Sequence, residues 1–244
     1  NGKIEDYILF EDKDIIVCRK SAGVAVQNAR IGAMDLESCL KNYLAVKTGG
    51  RSVPYLAVVH RLDQPVEGVL VFGKTPKVAK ELSAQISAGK MEKIYLAVTY
   101  EQPKTEENTE KSSCMILEDY LKKDGKTNTS SVVSANTPGA KVARLSYEIL
   151  DRAEDKISGR KKWLLKIHLD TGRHHQIRVQ MAHAGLPLAG DRKYGTGNSA
   201  GAGNVSLALC AASLTLFHPV TGNRNKIDKK PEGKEFAEFQ IKKI

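Results

Sequence analysis

The sequence predicts an α+β fold, and residues 1–244 are expected to form a single domain. Alternating apolar runs typical of strands recur along the chain, and helical spacing of apolar residues appears only in a few segments between them. No internal repeat or long linker divides the chain, so helices and strands are expected to share one layered core. The length is sufficient for such a core.

The first half of the chain has well-marked boundaries between its elements. A helix is predicted over 35–46, capped by Asp35, and a second helix begins after the N-cap Thr75 and stops at Gly89. Pro76 occupies the first helical position of the second helix, where its missing N–H costs nothing. The strands predicted in this half are 15–18, 56–59 and 68–73.

The second half is richer in strands and in polar loops. A short helix is predicted over 174–184, and the segment 124–140 is expected to be a short ribbon with irregular turns. The strands predicted here are 94–99, 143–150 and 163–169, and residues 205–217 return to apolar character. Polar or glycine-rich composition predicts surface loops over 101–113 and 195–204.

The formal net charge of +10 favours a polyanionic partner such as a nucleic acid, and an ordinary basic protein is the alternative on charge alone. Residues 156–178 carry seven Lys or Arg and a single acid, Asp170. Cationic side chains in and beyond this region are expected to contact phosphate. These residues are Arg160, Lys161, Lys162, Arg192 and Lys193.

The four cysteines, Cys18, Cys39, Cys114 and Cys210, form no Cys-x-x-Cys pair, which argues against zinc and against a disulfide framework. We interpret them as reduced thiols of a cytoplasmic protein. The N-terminal sequence lacks the pattern of a signal peptide. Since the chain does not begin with Met, we expect it to be part of a longer polypeptide.

The first unusual stretch is "VVHRLDQPVEGVLVFGKT", residues 58–75, in which His60-Arg61-Leu62-Asp63 separates two apolar runs. An ordinary hairpin would carry Asn-Gly or Asp-Gly at this point, and this loop does not. Asp63 could be a turn residue that bonds its own backbone. It could equally be a functional carboxylate that the two strands hold in place.

The second unusual stretch is "LDTGRHHQIR", residues 169–178, which follows a predicted strand and opens a predicted helix. Thr171-Gly172 predicts a tight turn from which Arg173 projects, and Arg178 falls on the helix. His174 and His175 are adjacent and point in different directions, so they make a poor metal pair. The chain also lacks the Gly-Lys-Ser/Thr of a phosphate loop and a Gly-x-Ser-x-Gly nucleophile elbow.

Three stretches resemble the RluA family of pseudouridine synthases in the family's order and spacing: "HRLDQPVEGVLVFGKT", "KIYLAV" and "LDTGRHHQIRVQMAHAGLPLAGDRKYG". The resemblance runs from about residue 8 to about residue 220. It implies a pseudouridine synthase fold, with a mainly antiparallel mixed β-sheet, flanking helices and a central RNA-binding cleft. It also implies a cytoplasmic, monomeric, stand-alone catalytic domain without an S4 module, which converts uridine to pseudouridine in ribosomal or transfer RNA without cofactor or metal.

The same resemblance implies roles for individual residues. Asp63 matches the family's catalytic aspartate, Tyr95 the active-site tyrosine that packs on the target base, and Arg178 the arginine that pairs with the aspartate. Arg61 matches the arginine that enters the RNA stack when the uridine leaves it. Further RNA contacts are predicted for their polar neighbours, which are His60, Lys93, Arg173, His175 and Gln176.

The chain departs from the family pattern at two places. Glu67 stands where Ser or Thr-Ser usually precedes the glycine that Gly68 matches, which adds a negative charge near the site. The turn Lys20-Ser21-Ala22-Gly23 replaces the usual Lys-Pro-x-Gly. Two rival functions remain: an RNA-binding or RNA-chaperone protein that has lost catalysis, and a nucleoside or glycoside hydrolase that pairs Asp63 with Glu67.

Overall fold

The computed structural model describes residues 3–28, 34–50, 53–103, 114–156, 158–195, 206–242 and 244, and its fold is α+β as predicted. The helices are α1 (Leu36–Lys47), α2 (Pro76–Ser87) and α3 (Gln176–His183), with short 3₁₀ turns at Ile4–Tyr7 and Lys234–Phe236. The strands are β1 (Ile8–Glu11), β2 (Ile15–Lys20), β3 (Ala57–Val58), β4 (Glu67–Gly73), β5 (Glu92–Thr99), β6 (Met115–Asp124), β7 (Thr129–Val133), β8 (Lys141–Glu154), β9 (Lys161–Leu169), β10 (Leu209–Phe217) and β11 (Arg224–Asp228). None of the helices described is long and apolar enough to cross a membrane.

The chain divides into two compact units, each made of two stretches of sequence. The first comprises Asn1–Glu92 and Ala211–Lys229, and the second comprises Lys93–Cys210 and Lys230–Ile244. The expectation of a single domain stays a prediction.

The first unit is built on strands in the order β1-β2-β4-β10, with β3 paired to β4 and β11 paired to β10. Strands β2 and β4 are antiparallel, with Ile15 opposite Gly73 and Lys20 opposite Gly68. Every residue of β4 is buried, which explains its continuous apolar run. The core of this unit lies between these strands and α2 and contains Ile15, Val17, Val69, Val71, Val78, Leu82, Met91, Leu214 and Leu216.

Capping fixes both helices of the first unit where the sequence predicts them. The Asp35 carboxylate accepts a hydrogen bond from the Ser38 N–H at 2.8 Å, which starts α1. The Thr75 hydroxyl accepts from the Val78 N–H at 3.2 Å, and Pro76 is the first residue of α2. These short-range signals place the helix starts correctly because each needs only neighbouring residues.

The second unit is an antiparallel array in the order β5-β9-β8-β6-β7. Strands β6 and β7 form a hairpin that is longer than the ribbon predicted over 124–140. The polar residues of β6 stand together as Glu118-Asp119 and Lys122-Lys123-Asp124, so its sequence lacks the alternation that signals a strand. Packing of Leu121 and Ala143 against Val179 of α3 supports the hairpin instead.

One predicted helix boundary in the second unit is corrected. Helix α3 begins at Gln176, not at residue 174, because His175 adopts a left-handed backbone with φ of 54°. Within the apolar segment 205–217, strand β10 begins at Leu209. Most of the loops predicted over 101–113 and 195–204 lies outside the described residues.

Candidate active site

The first polar loop connects β3 and β4 in the first unit and places Asp63 on a tight turn. The backbone carbonyl of Asp63 accepts a hydrogen bond from the Val66 N–H at 3.0 Å, which closes the turn. Arg61 is exposed, Leu62 is buried and Asp63 is half-buried. The turn thus anchors the loop through Leu62 and leaves the Arg61 side chain outward and the Asp63 side chain partly open to solvent.

His60 ties the loop to the neighbouring strand. Its Nε2 accepts a hydrogen bond from the Val71 N–H at 3.1 Å. A neutral imidazole that accepts at Nε2 carries its proton on Nδ1, so the bond also selects the tautomer. The half-buried His60 therefore has an anchoring role besides the RNA contact predicted for it.

Lys20, at the end of β2, supports the turn at Asp63 through hydrogen bonds of its buried ammonium. Its side chain is 1% exposed. Its ammonium donates to the carbonyls of Ser21 at 3.1 Å, Val24 at 2.8 Å and Gln64 at 2.9 Å. Burial lowers the pKa of Lys20 to about 8, against the opposing influence of the negative charges of Asp63 and Glu67. The three bonds match the three donors of an ammonium and fix the residue that follows Asp63.

Glu67, which departs from the family pattern, has a buried partner. Lys229 Nζ lies 3.2 Å from Glu67 Oε2, and both side chains are less than a tenth exposed. The negative charge that the sequence places near the site is therefore paired within the same unit. Such a pair is sensitive to loss of either member, because the remaining charge would be buried alone.

Gly68 follows directly and brings two strands unusually close. Its φ is 139°, and a Cβ built at this position would lie 2.4 Å from the carbonyl oxygen of Ala211 on β10. No other residue fits at that distance without moving the backbone. The glycine behind the polar loop is thus required by packing in the first unit.

Tyr95 and Lys93 lie on β5 of the second unit. Tyr95 pairs across the sheet with Ile167 of β9, and its side chain is 7% exposed. Burial lowers the pKa of the Lys93 ammonium. The strand therefore holds the tyrosine side chain in a buried position.

In the second polar loop, which joins β9 to α3, the side-chain amide of Gln176 forms four hydrogen bonds, here called the Gln176 clasp. Its Oε1 accepts from the Thr171 hydroxyl at 2.8 Å and from the Arg173 N–H at 2.9 Å. Its Nε2 donates to the Arg144 carbonyl at 3.1 Å and to Gln180 Oε1 at 2.9 Å. These bonds close the turn that the Thr171-Gly172 pair predicts.

Arg178 is buried on α3 and forms a two-pronged ion pair with Asp191. Its Nε donates to Asp191 Oδ2 and its Nη2 to Oδ1, each at 2.8 Å. The two side chains are 6% and 1% exposed. Burial raises the pKa of Asp191, but the bonds and charge of Arg178 outweigh it and lower the pKa overall. Paired, parallel bonds of this kind fix orientation as well as distance.

The Tyr194 ring lies 5.1 Å from the Arg178 guanidinium carbon and covers one face of it. The Tyr194 hydroxyl lies 2.6 Å from His175 Nδ1 and accepts from the Ser130 N–H at 2.9 Å. Burial lowers the pKa of His175 to about 3, and the positive charges of Arg178, His174 and Lys193 add to that effect. His175 is therefore neutral at physiological pH.

A family model described as RNA pseudouridylate synthase matches residues 14–183. The chain belongs to the RNA pseudouridylate synthase family. The matched segment contains both polar loops as well as β5, and the resemblance to RluA-type enzymes is confirmed.

Named relatives of this RNA pseudouridylate synthase family member cover most of its length. The chain is 32% identical to the ribosomal large subunit pseudouridine synthase C of Yersinia pestis, over 92% of this chain and 65% of that protein. It is 30% identical to the corresponding synthase D of Xylella fastidiosa, over 87% and 62%. It is 32% identical to the synthase D of Pseudomonas aeruginosa, over 91% of this chain and 67% of that protein. The chain thus spans a little under two thirds of the length of the first two of these relatives.

Solved structures of the family share the fold. The human RNA pseudouridylate synthase domain containing 1 superposes with a TM-score of 0.71 and 18% identity, covering 95% of this chain and 86% of that one. The human RNA pseudouridylate synthase domain containing 4 gives 0.71 and 21%, covering 94% and 90%. These likenesses establish the pseudouridine synthase fold for the chain.

Two groups of predicted site residues lie on the polar loops of this synthase family member, apart from Tyr95 and Lys93 on β5. His60, Arg61 and Asp63 share one loop of the first unit. Arg178, with its polar neighbours, lies around the start of α3 in the second unit. The pairing of Arg178 with Asp63, which the family resemblance implies, stays a prediction.

Three residues expected to contact RNA have protein partners in buried positions. Lys162 is fully buried and ion-paired with Glu238. Gln176 is committed to the clasp, and His175 is buried, neutral and bonded to Tyr194. Sequence composition cannot separate such residues from surface ones, and the RNA contacts expected of these three residues stay predictions.

The remaining basic residues keep RNA contact as a prediction. Lys161 and Arg192 are exposed. Lys193 is exposed and donates to the Asn128 carbonyl at 2.9 Å, and Arg173 Nε donates to the Val142 carbonyl at 2.8 Å. Arg160 is half-buried and stacks on the Tyr100 ring at 4.0 Å.

Among the described residues, the one group that could hold a metal ion is Asp12, Asp14 and His218, whose ligand atoms lie within 4.8 Å of one another. His218 Nδ1 accepts from the Thr221 N–H at 3.1 Å, so Nε2 carries the proton and donates to Asp12 Oδ2 at 2.8 Å. A protonated ring nitrogen does not bind a metal. His218 and Asp12 thus form a hydrogen-bonded pair, whereas the buried Asp14 Oδ2 has no hydrogen-bond partner among the described residues. The absence of a metal cofactor stays a prediction.

Sequence reasoning missed Lys20, Asp191 and Tyr194 as parts of the site. Lys20 ends β2 directly after Arg19, and nothing in that position indicates that its ammonium is buried. Asp191 and Tyr194 lie in the stretch "GDRKYG" of the third matched motif, but nothing in their spacing names Arg178 as their partner.

Proposed function

We propose that this protein converts uridine to pseudouridine in RNA. The observation that carries the proposal is the placement of the Asp63 carboxylate on a fixed turn, beside the exposed Arg61, within the segment that matches the RNA pseudouridylate synthase family. The net charge of +10 supports a polyanionic substrate.

The reaction is an isomerisation whose atoms balance within the substrate. The bond between N1 of uracil and C1′ of ribose breaks, the base turns, and a bond forms between C5 and C1′. The proton that leaves C5 is matched by the proton that N1 gains. Neither oxidation nor an external energy source is needed, and we propose that the enzyme works without a cofactor.

We assign the chemistry to Asp63, with Arg178 and Tyr95 beside the reacting nucleotide, as the family resemblance implies. An arginine close to a carboxylate favours its ionised form, since an opposite charge within about 4–6 Å lowers a carboxylate pKa. Arg61 enters the stack that the flipped uridine leaves. Extrusion of a base costs a few kcal/mol, and the inserted guanidinium offsets part of that cost.

The names of the relatives favour ribosomal RNA over transfer RNA as the substrate. Proteins about 30% identical to this chain are named ribosomal large subunit pseudouridine synthases. We therefore propose a stem-loop of the large-subunit RNA, modified by a monomeric, cytoplasmic enzyme.

The test compares pseudouridine maps of total RNA from cells that lack the gene and carry wild type, Asp63→Asn or the control Glu81→Gln. Glu81 is exposed on α2 and outside both polar loops. Wild type and the control should restore the same modified positions. Asp63→Asn should restore none, and the purified variant should lose at least about 10³-fold in turnover while it still binds RNA.

Each other result has a definite meaning. Substantial turnover by Asp63→Asn would contradict the role of Asp63. RNA binding by the wild-type protein with no modified position in cells or in vitro would support the rival, an RNA-binding protein without catalysis. Release of free uracil from RNA would indicate a hydrolase instead.

A further inference from the structure

The side chain of Arg178 is held by a set of contacts that the proposed reaction does not itself explain. Arginine has a long, flexible side chain, and fixing it costs conformational entropy unless its surroundings preorganise it. Here the two N–H groups along the Nε edge of the guanidinium both end on Asp191. The orientation of the opposite, Nη1-bearing end is thereby set.

Asp191 is itself fixed by its own loop. Its Oδ1 accepts from the backbone N–H groups of Lys193 at 3.0 Å and Tyr194 at 3.1 Å, in addition to Arg178. Its backbone N–H donates to the Leu188 carbonyl at 3.1 Å, and its carbonyl accepts from the Gly195 N–H at 2.8 Å. A carboxylate with these partners cannot rotate without breaking several bonds at once.

Tyr194 restrains the guanidinium in the remaining direction. Its ring covers one guanidinium face at 5.1 Å, which limits tilt out of the plane of the ion pair. Its hydroxyl is in turn fixed between His175 and the Ser130 N–H. Neutral His175 adds no positive charge beside the guanidinium, so the ring can stay close to it.

We propose that Asp191 and Tyr194 are positioning residues that orient the Arg178 guanidinium for the isomerisation. Asp191 fixes the direction of the guanidinium within its own plane, and Tyr194 fixes the tilt of that plane. The inference rests on the proposed function, because it assigns these residues a task through Arg178. A displacement of about 1 Å in a catalytic group can cost about 10²-fold in rate, which sets the size of effect expected.

The first experiment measures kcat, KM and RNA affinity for Asp191→Asn. Asparagine retains an oxygen for the two backbone N–H groups but loses the charge and the second oxygen that Arg178 needs. We expect kcat to fall by about 10²-fold with RNA affinity unchanged. Asp191→Glu, which keeps the charge on a longer stem, should recover part of the loss.

A double-mutant cycle separates positioning from general stability. If Asp191 acts through Arg178, Asp191→Asn should cause little further loss of kcat in an Arg178→Ala background. The matched control is Glu238→Gln, which breaks another ion pair of the same unit, with Lys162, and should leave kcat unchanged in folded protein. If the fold-losses in kcat of the two single variants instead multiply in the double variant, the two residues act independently and the proposal is overturned.

Tyr194 supplies a second variant if Asp191→Asn does not fold. Tyr194→Phe keeps the ring and should lose less kcat than Tyr194→Leu, which removes it. A folded Tyr194→Leu protein with wild-type kcat would overturn the role of the ring. Full activity of Arg178→Ala would instead remove Arg178 from the proposed reaction. Loss in Arg178→Ala together with wild-type kcat in Asp191→Asn would reject only the positioning role.

Discussion

Single residues in this protein owe their roles to partners that lie far away in sequence. Lys20 and Gln64 are 44 positions apart, yet the ammonium of one holds the carbonyl of the other beside Asp63. The motif resemblance identifies Asp63 from the letters around it, whereas a long-range partner has no local signature. The sequence therefore offers candidates for the catalytic residues, whose roles stay predictions, but it does not identify the residues that hold them in place.

His175 predicts a pH dependence of stability at this scale. Its pKa is about 3 in the folded protein against 6.5 when unperturbed. Between these values the unfolded chain binds more protons than the folded one, so the free energy of unfolding rises with pH. The contribution is complete above the unfolded pKa of 6.5 and is lost as pH falls toward the folded pKa.

The test of this dependence is urea unfolding of wild type and His175→Asn between about pH 4.5 and about pH 7.5. Asparagine tolerates the left-handed backbone at this position. The difference in unfolding free energy should change by up to about 1.4 kcal/mol per pH unit below the unfolded pKa. The control is His168→Asn, which replaces an exposed histidine of β9. If its difference from wild type in unfolding free energy changes with pH as much as that of His175→Asn, His175 is not the source of the pH dependence.

At the scale of elements, the sequence predicts best where local rules apply. The caps Asp35 and Thr75 place α1 and α2 almost to the residue. The start of α3 is misplaced because the left-handed turn at His175 has no glycine or asparagine to signal it. The hairpin β6–β7 is underestimated because long-range packing on α3 stabilises a polar strand.

Strand β4 carries a prediction about its close approach to β10. Gly68→Ala should destabilise the protein by about 3 kcal/mol or more, since the new methyl group would overlap the Ala211 backbone. Urea unfolding measures the loss. Gly125→Ala, where a Cβ meets open space, is the control and should stay within about 0.5 kcal/mol of wild type. Equal stabilities of the two variants would contradict the packing argument.

At the scale of the whole molecule, the charge of +10 is visible in the sequence, but the set of cations presented to a partner is not. Neighbouring lysines on β9 have opposite fates: Lys161 is exposed, whereas Lys162 is buried with Glu238. Alternation along a strand explains the difference once the strand is known. The division into two units is equally hidden, because no linker composition marks it.

This pair of lysines gives a matched prediction for RNA binding. Lys161→Ala should lower the slope of log affinity against log salt by about one, with stability unchanged, as expected for loss of one phosphate contact. Lys162→Met should leave that slope unchanged and destabilise the protein by at least about 2 kcal/mol, because Glu238 loses its partner. Binding titrations at several salt concentrations, together with urea unfolding, check both. A lowered slope in Lys162→Met would contradict its assignment to internal packing.

Because the first unit consists of two separate stretches of sequence, it cannot complete its folding until the second stretch has been synthesised. The carboxylate of Glu67 is synthesised before its partner, because Lys229 follows it by 162 residues along the chain. At a synthesis rate of about 5–20 residues per second, that delay is roughly 8–32 s. During this interval the nascent segment lacks the backbone against which Gly68 packs and the cation that neutralises Glu67.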